Sequence, residues 1–238
     1  MFLLSNARAA GLVDHGGLKE GTYAGAFEGG SLIAVAAHFW NGVVVVQAPQ
    51  ALTEVVLAAV SASGRAVKGL AGPAEQVRGA RAALGLARAS ASLDEDEALY
   101  ALALAEMKVP ASLGGRPACR HVEDRDVPLL VAWRRAYHLE VLGAADSPAL
   151  TDECRAEVEH LAADRALWLL EEDGAPVATT AFNARLPEIV QVGGVYTPPE
   201  LRGRGFARAA VAASLLEARA EGAARAVLFT SSGAAARA

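Results

Sequence analysis

Two cysteines, Cys119 and Cys154, are all that the 238 residues contain. They show no C-x-x-C spacing, so neither a disulfide scaffold nor a thiolate zinc site is expected, and a reduced chain with two small buried thiols fits best. The 5 histidines stand singly at positions 15, 38, 121, 138 and 160. None pairs with another at metal-ligand spacing, and no metal site is assigned. Dense Lys/Arg blocks are missing and the formal net charge is −5, which argues against a nucleic-acid partner. Long apolar runs are missing too. The longest, SLIAVAAHFWNGVVVVQAP, is split by His38 and by Asn41-Gly42, a strong hairpin signal, so no membrane segment is expected. The opening MFLLSNARAAGL has too short an apolar core and no basic lead for a signal peptide, and reads as an amphipathic helix.

What is present is a globular composition, 53% hydrophobic and 21% charged. The length allows one large domain or two small ones. A linker is expected at VPASLGGRPA, residues 109–118, where Pro and Gly are dense and periodicity stops. Similar rhythms flank it. GTYAGAFEGGSLIAVAAHFW reads as strand, tight turn, strand, and so does ALWLLEEDGAPVATTAF. Glu28-Gly29-Gly30 lines up with Glu172-Asp173-Gly174, and Ile33-Ala34 with Val177-Ala178, without a gap. Each hairpin is followed by a strand (GVVVVQAP; EIVQVGGVYT), a helix (ALTEVVLAAVSASG; GFARAAVAASLLEARAEGA) and a short β run (AVKGLAG; RAVLFTS). Two helical patterns, DVPLLVAWRRAYHLEVLG and LTDECRAEVEHLAAD, precede the second hairpin, the latter with Thr151 as its expected N-cap. The fold class read from this is α+β, in two halves (1–110 and 116–238), each a mixed, mostly antiparallel sheet flanked by helices.

Between the last long strand and its helix stands VYTPPELRGRGFARAAV, residues 195–211. Glycines before a helix N-terminus let backbone N–H groups approach a ligand, and the helix end carries partial positive charge. Arg202, Arg204 and Arg208 add formal charge at the same place. The physical reading is a site for a phosphate or pyrophosphate. A Walker A loop is excluded, since no GK[ST] follows. A Rossmann turn beginning at Gly203 is excluded because Arg208 stands where its last small residue is needed.

The pattern R-x-x-G-x-A, at Arg202, Gly205 and Ala207, resembles the acetyl-CoA loop of the GNAT superfamily of N-acetyltransferases. The surrounding order of elements extends the resemblance over about residues 118–238. It implies acetyl-CoA as co-substrate, with its pyrophosphate on backbone N–H groups across Gly203, Arg204, Gly205, Phe206, Ala207 and Arg208. The pantetheine arm would run beside Val195, Tyr196 and Thr197, where a backbone N–H would polarise the acetyl carbonyl. Phe206 and Val211 are expected to place their side chains in the core. The acceptor implied is an amine of a small molecule or protein, and the setting is cytoplasmic.

Where some relatives place a glutamate base this sequence has Gln191, which cannot take a proton. Glu188 reads as the exposed start of the strand. Glu140 is the candidate base, with Tyr137 a packing and His138 a surface residue beside it. The first half lacks the loop and is expected to be a degenerate GNAT-like half that binds no coenzyme; His38 is expected to pack. The family's next helix, of the form N-x-A-A-x-x-x-Y-x-x-x-G-F, would begin near Gly233, with Ala234–Ala238 as its first turn and no tyrosine to protonate the departing thiolate. Water or Tyr196 would have to do so. The strand at AVLFT would then be an open edge, available to a homodimer. A coenzyme-binding or regulatory module without turnover is the alternative, and a domain for anions other than CoA a third reading.

Overall fold

The computed structural model describes residues 1–110, 118–231 and 233. The chain divides into two compact units, Met1–Ala91 and Ser92–Ala238. The division expected at residues 110–116 therefore falls inside the second unit, and most of the expected linker, 111–117, lies outside the described residues.

The first unit runs α1 (Phe2–Ala10), β1 (Gly21–Glu28), β2 (Ser31–Phe39), β3 (Val43–Gln47), α2 (Leu52–Ser63), β4 (Gly69–Ala71) and α3 (Ala74–Ala83). Its sheet has the order β1-β2-β3-β4. The first two pairings are antiparallel and β3–β4 is parallel, with α2 as the crossover. Gly29 and Gly30 both take positive φ in the β1–β2 turn. That geometry matches the twist of the flanking strands. The core is built from small residues: Ala34, Ala36, Val44 and Val46 of the sheet meet Val55, Val56 and Ala59 of α2. His38 is fully buried, its Nδ1 2.6 Å from Ser63 Oγ.

Close to it, Arg65 donates to the His38 carbonyl and forms an ion pair with Asp14, which also accepts from Thr22 Oγ1 at 2.6 Å. The Arg65 hydrogen bond, opposed by burial, holds the Asp14 carboxyl down at about 2. A carboxyl depressed in the folded state stabilises above its ordinary value and loses that contribution as pH falls through its folded value. The stability gap between wild type and Asp14→Asn should thus be on the order of 1 kcal/mol at neutral pH, after solvent screening. It should close as pH falls from about 4 to about 2. A gap that widens in acid-titrated unfolding curves would contradict this account.

The second unit contains β5 (Ala98–Ala103), β6 (Ala118–His121), α4 (Val127–Glu140), α5 (Pro148–Ala163), β7 (Leu167–Glu172), β8 (Ala175–Leu186), β9 (Ile189–Tyr196), α6 (Phe206–Ala220) and β10 (Arg225–Thr230). The six strands lie in the order β5-β10-β9-β8-β7-β6. Only β9–β10 is parallel, and α6 makes that crossover. From β7 to β10 the sequence of elements and pairings repeats that from β1 to β4. The β7–β8 turn again uses two positive-φ residues, Asp173 and Gly174.

The first four residues of β7, Leu167 to Leu170, are all apolar because both faces of the strand are covered there. Trp168 joins Phe182, Val190 and Val192 against Val211 and Leu215 of α6. Leu167 and Leu169 face Leu130 and Val131 of α4 and Cys154 and Val158 of α5. The chain is thus a mixed α+β protein with sheets of four and six strands flanked by helices.

Two local expectations are corrected. Helix α5 begins four residues before Thr151 would have capped it: Ser147 is the N-cap, its Oγ accepting from Leu150 N at 3.2 Å, with Pro148 at the first helical position. Ser-Pro satisfies one orphan N–H and presets φ, and so outcompetes the threonine. The strand AVLFT, β10, is no open edge. It pairs antiparallel with β5 along its whole length, Arg225 opposite Ala103 through Thr230 opposite Ala98. The backbone groups that would have recruited a second copy there are bonded within the chain.

Candidate functional site

Strand β9 carries the site, and its glycines shape it. Gly193 and Gly194 interrupt the ladder to β8: Ala181 pairs with Gly193 but Thr179 with Tyr196, leaving one extra residue on β9. Gly194 takes φ +57, as a bulge requires. The space a side chain at Gly193 would fill is occupied by the side-chain amide of Asn183. A bulge bends and twists its strand. On the other side, β9 pairs with β10 only from Ile189–Arg225 to Gln191–Val227. Beyond that point the two parallel strands part, and β9 runs on to Tyr196 with that side unpaired by β10.

At the end of β9 a short 3-10 turn, Pro199–Leu201, leads to Gly203 and Gly205 at φ +78 and +84. Nothing lies within 4 Å of an ideal Cβ at either. Gly205 is the N-cap of α6 and no side chain caps the helix. The N–H groups of the first turn therefore point past a bare backbone surface.

The arginines of the loop are anchored but exchangeable. Arg202 makes two bonds to Glu140, 2.6 and 2.7 Å, and its Nε donates to the Thr197 carbonyl at 2.9 Å. Arg204 meets Glu172 at 2.5 Å and lies 4.6 Å from the Phe206 ring centroid. Both guanidiniums are solvent-exposed, as is Arg208. Exposed pairs contribute only about 0–1 kcal/mol, so an incoming phosphate can take over either guanidinium at little cost.

The positions singled out in the sequence separate into roles. Gly203, Arg204, Gly205, Ala207 and Arg208 form one surface with Arg202 at its start. Phe206 turns its side chain into a cluster with Leu170, Val177 and Ala178, leaving only its backbone for a ligand. Val195 packs on the α6-side core, and Tyr196 is buried with its ring 6.0 Å from Trp133. Burial, then the charge of Glu140, raise the Tyr196 hydroxyl's pKa, so it keeps its proton at neutral pH. Thr197 is buried, its Oγ1 without a described partner. Glu140 belongs to the loop: its bond to Arg202 holds its carboxyl below the usual range. That is the wrong direction for a base that must take a proton from an amine.

Several contributors left no local signal in the sequence. His138 is not a surface residue; its side chain is 12% exposed and its Nε2 lies 3.1 Å from Glu157 Oε2, the oxygen that also accepts from Arg134 Nε at 2.6 Å. Glu217 of α6 accepts from Trp168 Nε1 at 2.8 Å and lies 2.6 Å from His121 Nε2. The paired glycines within the β9 pattern were the one available pointer to the bulge. Among the described residues no group of three or more His, Cys, Asp or Glu could hold a metal ion. No described helix is long and apolar enough to cross a membrane.

Residues 128–238 match the family model described as Acetyltransferase (GNAT) family. Among solved structures, a predicted acetyltransferase from Clostridium acetobutylicum, crystallised with acetyl-CoA, is 23% identical over 50% of this chain and 83% of its own, with a TM-score of 0.40. A GNAT family acetyltransferase from Brucella melitensis in complex with acetyl-CoA is 24% identical over 51% and 80%, TM-score 0.40. A GCN5-related N-acetyltransferase from Ralstonia eutropha is 26% identical over 48% and 83%, TM-score 0.39. No curated protein matches the chain.

Proposed function

We propose that residues 92–238 bind acetyl-CoA and transfer its acetyl group to an amine. The observation that carries this reading is the conjunction at one end of the sheet. A bare glycine loop opens α6, and β9 leaves β10 immediately beside it. The loop fits a pyrophosphate: Gly203 and Gly205 leave open space over the helix N-terminus, and Arg202 and Arg204 flank it. The unpaired edge of β9 from Val192 to Tyr196 fits an extended amide-bearing arm, which would pair with it as an added strand. Bound there, the coenzyme supplies an activated thioester. Transfer joins the amine nitrogen to the acetyl carbon and breaks the carbon–sulfur bond. The amine gives up its proton to solvent water and the sulfur gains one. The Tyr196 hydroxyl, which holds its proton, is the group on this strand able to supply the latter.

The first unit is proposed as a degenerate half without coenzyme. Its β3 stays paired with β4 to Val45–Ala71, and Gly72 then lies against the Val46 carbonyl, 2.6 Å from the ideal Cβ position. No wedge opens. The Ala48 N–H at the end of β3 is taken by Gln76 Oε1 at 2.7 Å. Calorimetric titration should therefore give one equivalent of acetyl-CoA per chain, and two equivalents of similar affinity would defeat the reading. Inorganic phosphate at equal concentration should not reproduce the rise in melting temperature.

A second reading, coenzyme binding without turnover, is favoured by one specific arrangement. Gln191 stands where the strands part, and Glu140 is committed to Arg202. Steady-state release of free thiol across an amine panel decides between them. A reducing, cytoplasmic setting accords with two unpaired cysteines, the Cys119 thiol being pushed up to about 12 by burial and so unreactive as a nucleophile.

A further inference from the structure

We propose that the acceptor amine carries a carboxylate, as an amino acid does, and that Arg134 binds it; this rests on the acetyl-transfer reading above. Arg134 projects from α4 with its side chain 18% exposed. Its NH1 lies against the β9 bulge, 2.6 Å from where a Cβ at Gly194 would stand. The guanidinium is thus held beside the stretch of strand where β9 has left β10.

Its orientation is fixed from behind. Nε donates to Glu157, His138 braces the same carboxylate oxygen, and the guanidinium carbon sits 5.3 Å from the Tyr137 ring centroid. Burial works against the charge of Glu157, but the His138 hydrogen bond and the charge and bond of Arg134 outweigh it and hold the carboxyl at about 2. Among the described residues, Nε alone makes a hydrogen bond. A guanidinium has five N–H donors in a planar fork, and the remaining edge matches a carboxylate bidentately.

A purely structural arginine would be a poor choice here. The hollow under the bulge is lined mostly by apolar groups, Leu130, Val158, Leu161 and Leu167, together with Tyr137, Thr179 and Tyr196. A methionine or leucine would fill it without requiring Glu157 and His138 to support a charge. Removing a charge from water needs a compensating partner, and the protein supplies one on one edge only.

Gln191 provides the complementary group. It is 4% exposed, and its Oε1 has no hydrogen-bond partner among the described residues. Its neighbours Val190 and Val192 face α6, so Gln191 lies on the opposite face, the one α4 covers. A buried acceptor left unpaired costs about 1–3 kcal/mol and calls for a donor. Gln191 and Gly194 are three positions apart, on the order of 10 Å of extended strand and less across a bulge. An N–H acceptor and a carboxylate binder at that separation, each on a reaching side chain, suit a zwitterion. A polyamine or an amino sugar without a carboxylate would leave Arg134 unmatched.

The test compares amino acids with the amines obtained by removing their carboxyl group, at saturating acetyl-CoA, in the full chain. In wild type kcat/KM should favour the amino acid by at least about 100-fold, in line with the penalty for leaving a polar site unmatched. Arg134→Gln should remove that preference through KM, and Arg134→Lys should restore part of it. Acetyl-CoA affinity, measured on the same variants, should stay near wild type, whereas the melting temperature of Arg134→Gln should fall because Glu157 loses its charged partner, so the kinetics are compared well below it. Equal acetylation of the decarboxylated amines would overturn the proposal. So would an unchanged KM in Arg134→Gln, or an enzyme that binds acetyl-CoA yet neither acetylates nor binds any amino acid. Failure to bind acetyl-CoA at all is read separately by calorimetry; it removes the acetyl-transfer reading and this proposal with it.

Discussion

Gly205→Glu should bind acetyl-CoA at least about 100-fold more weakly than wild type while remaining folded. Residue 205 stands at φ +84, where an L side chain is strained by roughly 1–2 kcal/mol. Its ideal Cβ meets no atom within 4 Å, so the fold has room for the side chain. A carboxylate at the start of α6 also gains about 0.3–1 kcal/mol from the helix dipole, which offsets part of the strain. The net change in stability is therefore small. Binding loses on every count: the new side chain fills the space over the N–H groups of the first turn, and its charge cancels the field that attracts phosphate. Gly205→Ala separates the two effects. It carries the same strain with one methyl group and no charge, and should lose far less affinity. Calorimetry on both variants, with circular dichroism as the check on folding, decides the matter. An unchanged Kd for Gly205→Glu would mean that the pyrophosphate is held elsewhere.

The loop could be read from sequence because its conformation is set locally. Glycine at positive φ, proline before it and a helix directly after are neighbours in the chain, and the two-residue hairpin turns at Gly29-Gly30 and Asp173-Gly174 follow the same logic. What escaped is long-range. ALYALA, residues 98–103, looks like any short alanine-rich stretch, and its identity as β5 depends on backbone pairing with residues 225–230. No periodicity within it announces that partner. The same holds for the cluster at the β9 bulge. Arg134 and His138 lie one helical turn apart on α4, but Glu157 comes from α5 and the bulge they face from β9. Glu140 shows the cost of reading position without partners. As a lone carboxylate near the expected cleft it suggests a base, and its two bonds to Arg202 tie it to the glycine loop instead. Gln191 was legible as a position, and only the course of β10 shows that it marks the vertex where the strands part.

Trp168→Ala should destabilise the second unit by about 3–5 kcal/mol, the range for deleting a large buried aromatic side chain. Trp168 is 1% exposed on β7, with its ring 4.6 Å from that of Phe182 and 4.9 Å from that of His121. Its indole N–H also holds α6 to the sheet through Glu217. Burial opposes the charge on Glu217, yet the bonds from Trp168 and His121 keep its carboxyl below the usual range. Truncation therefore opens a cavity and takes one of two donors from a half-buried carboxylate. Trp168→Phe keeps most of the ring and loses only the N–H, and should cost about 1–3 kcal/mol. The order of the two variants separates packing from hydrogen bonding. The effect should reach the site, because Glu217 anchors the last turns of the same helix whose first turn faces the glycine loop. Well below its melting temperature, Trp168→Ala should still bind acetyl-CoA more weakly than wild type, since part of the binding energy must re-seat α6. Urea unfolding gives the stabilities and calorimetry the affinities. A Trp168→Ala variant within about 1 kcal/mol of wild type would show that α6 is held by its apolar face alone.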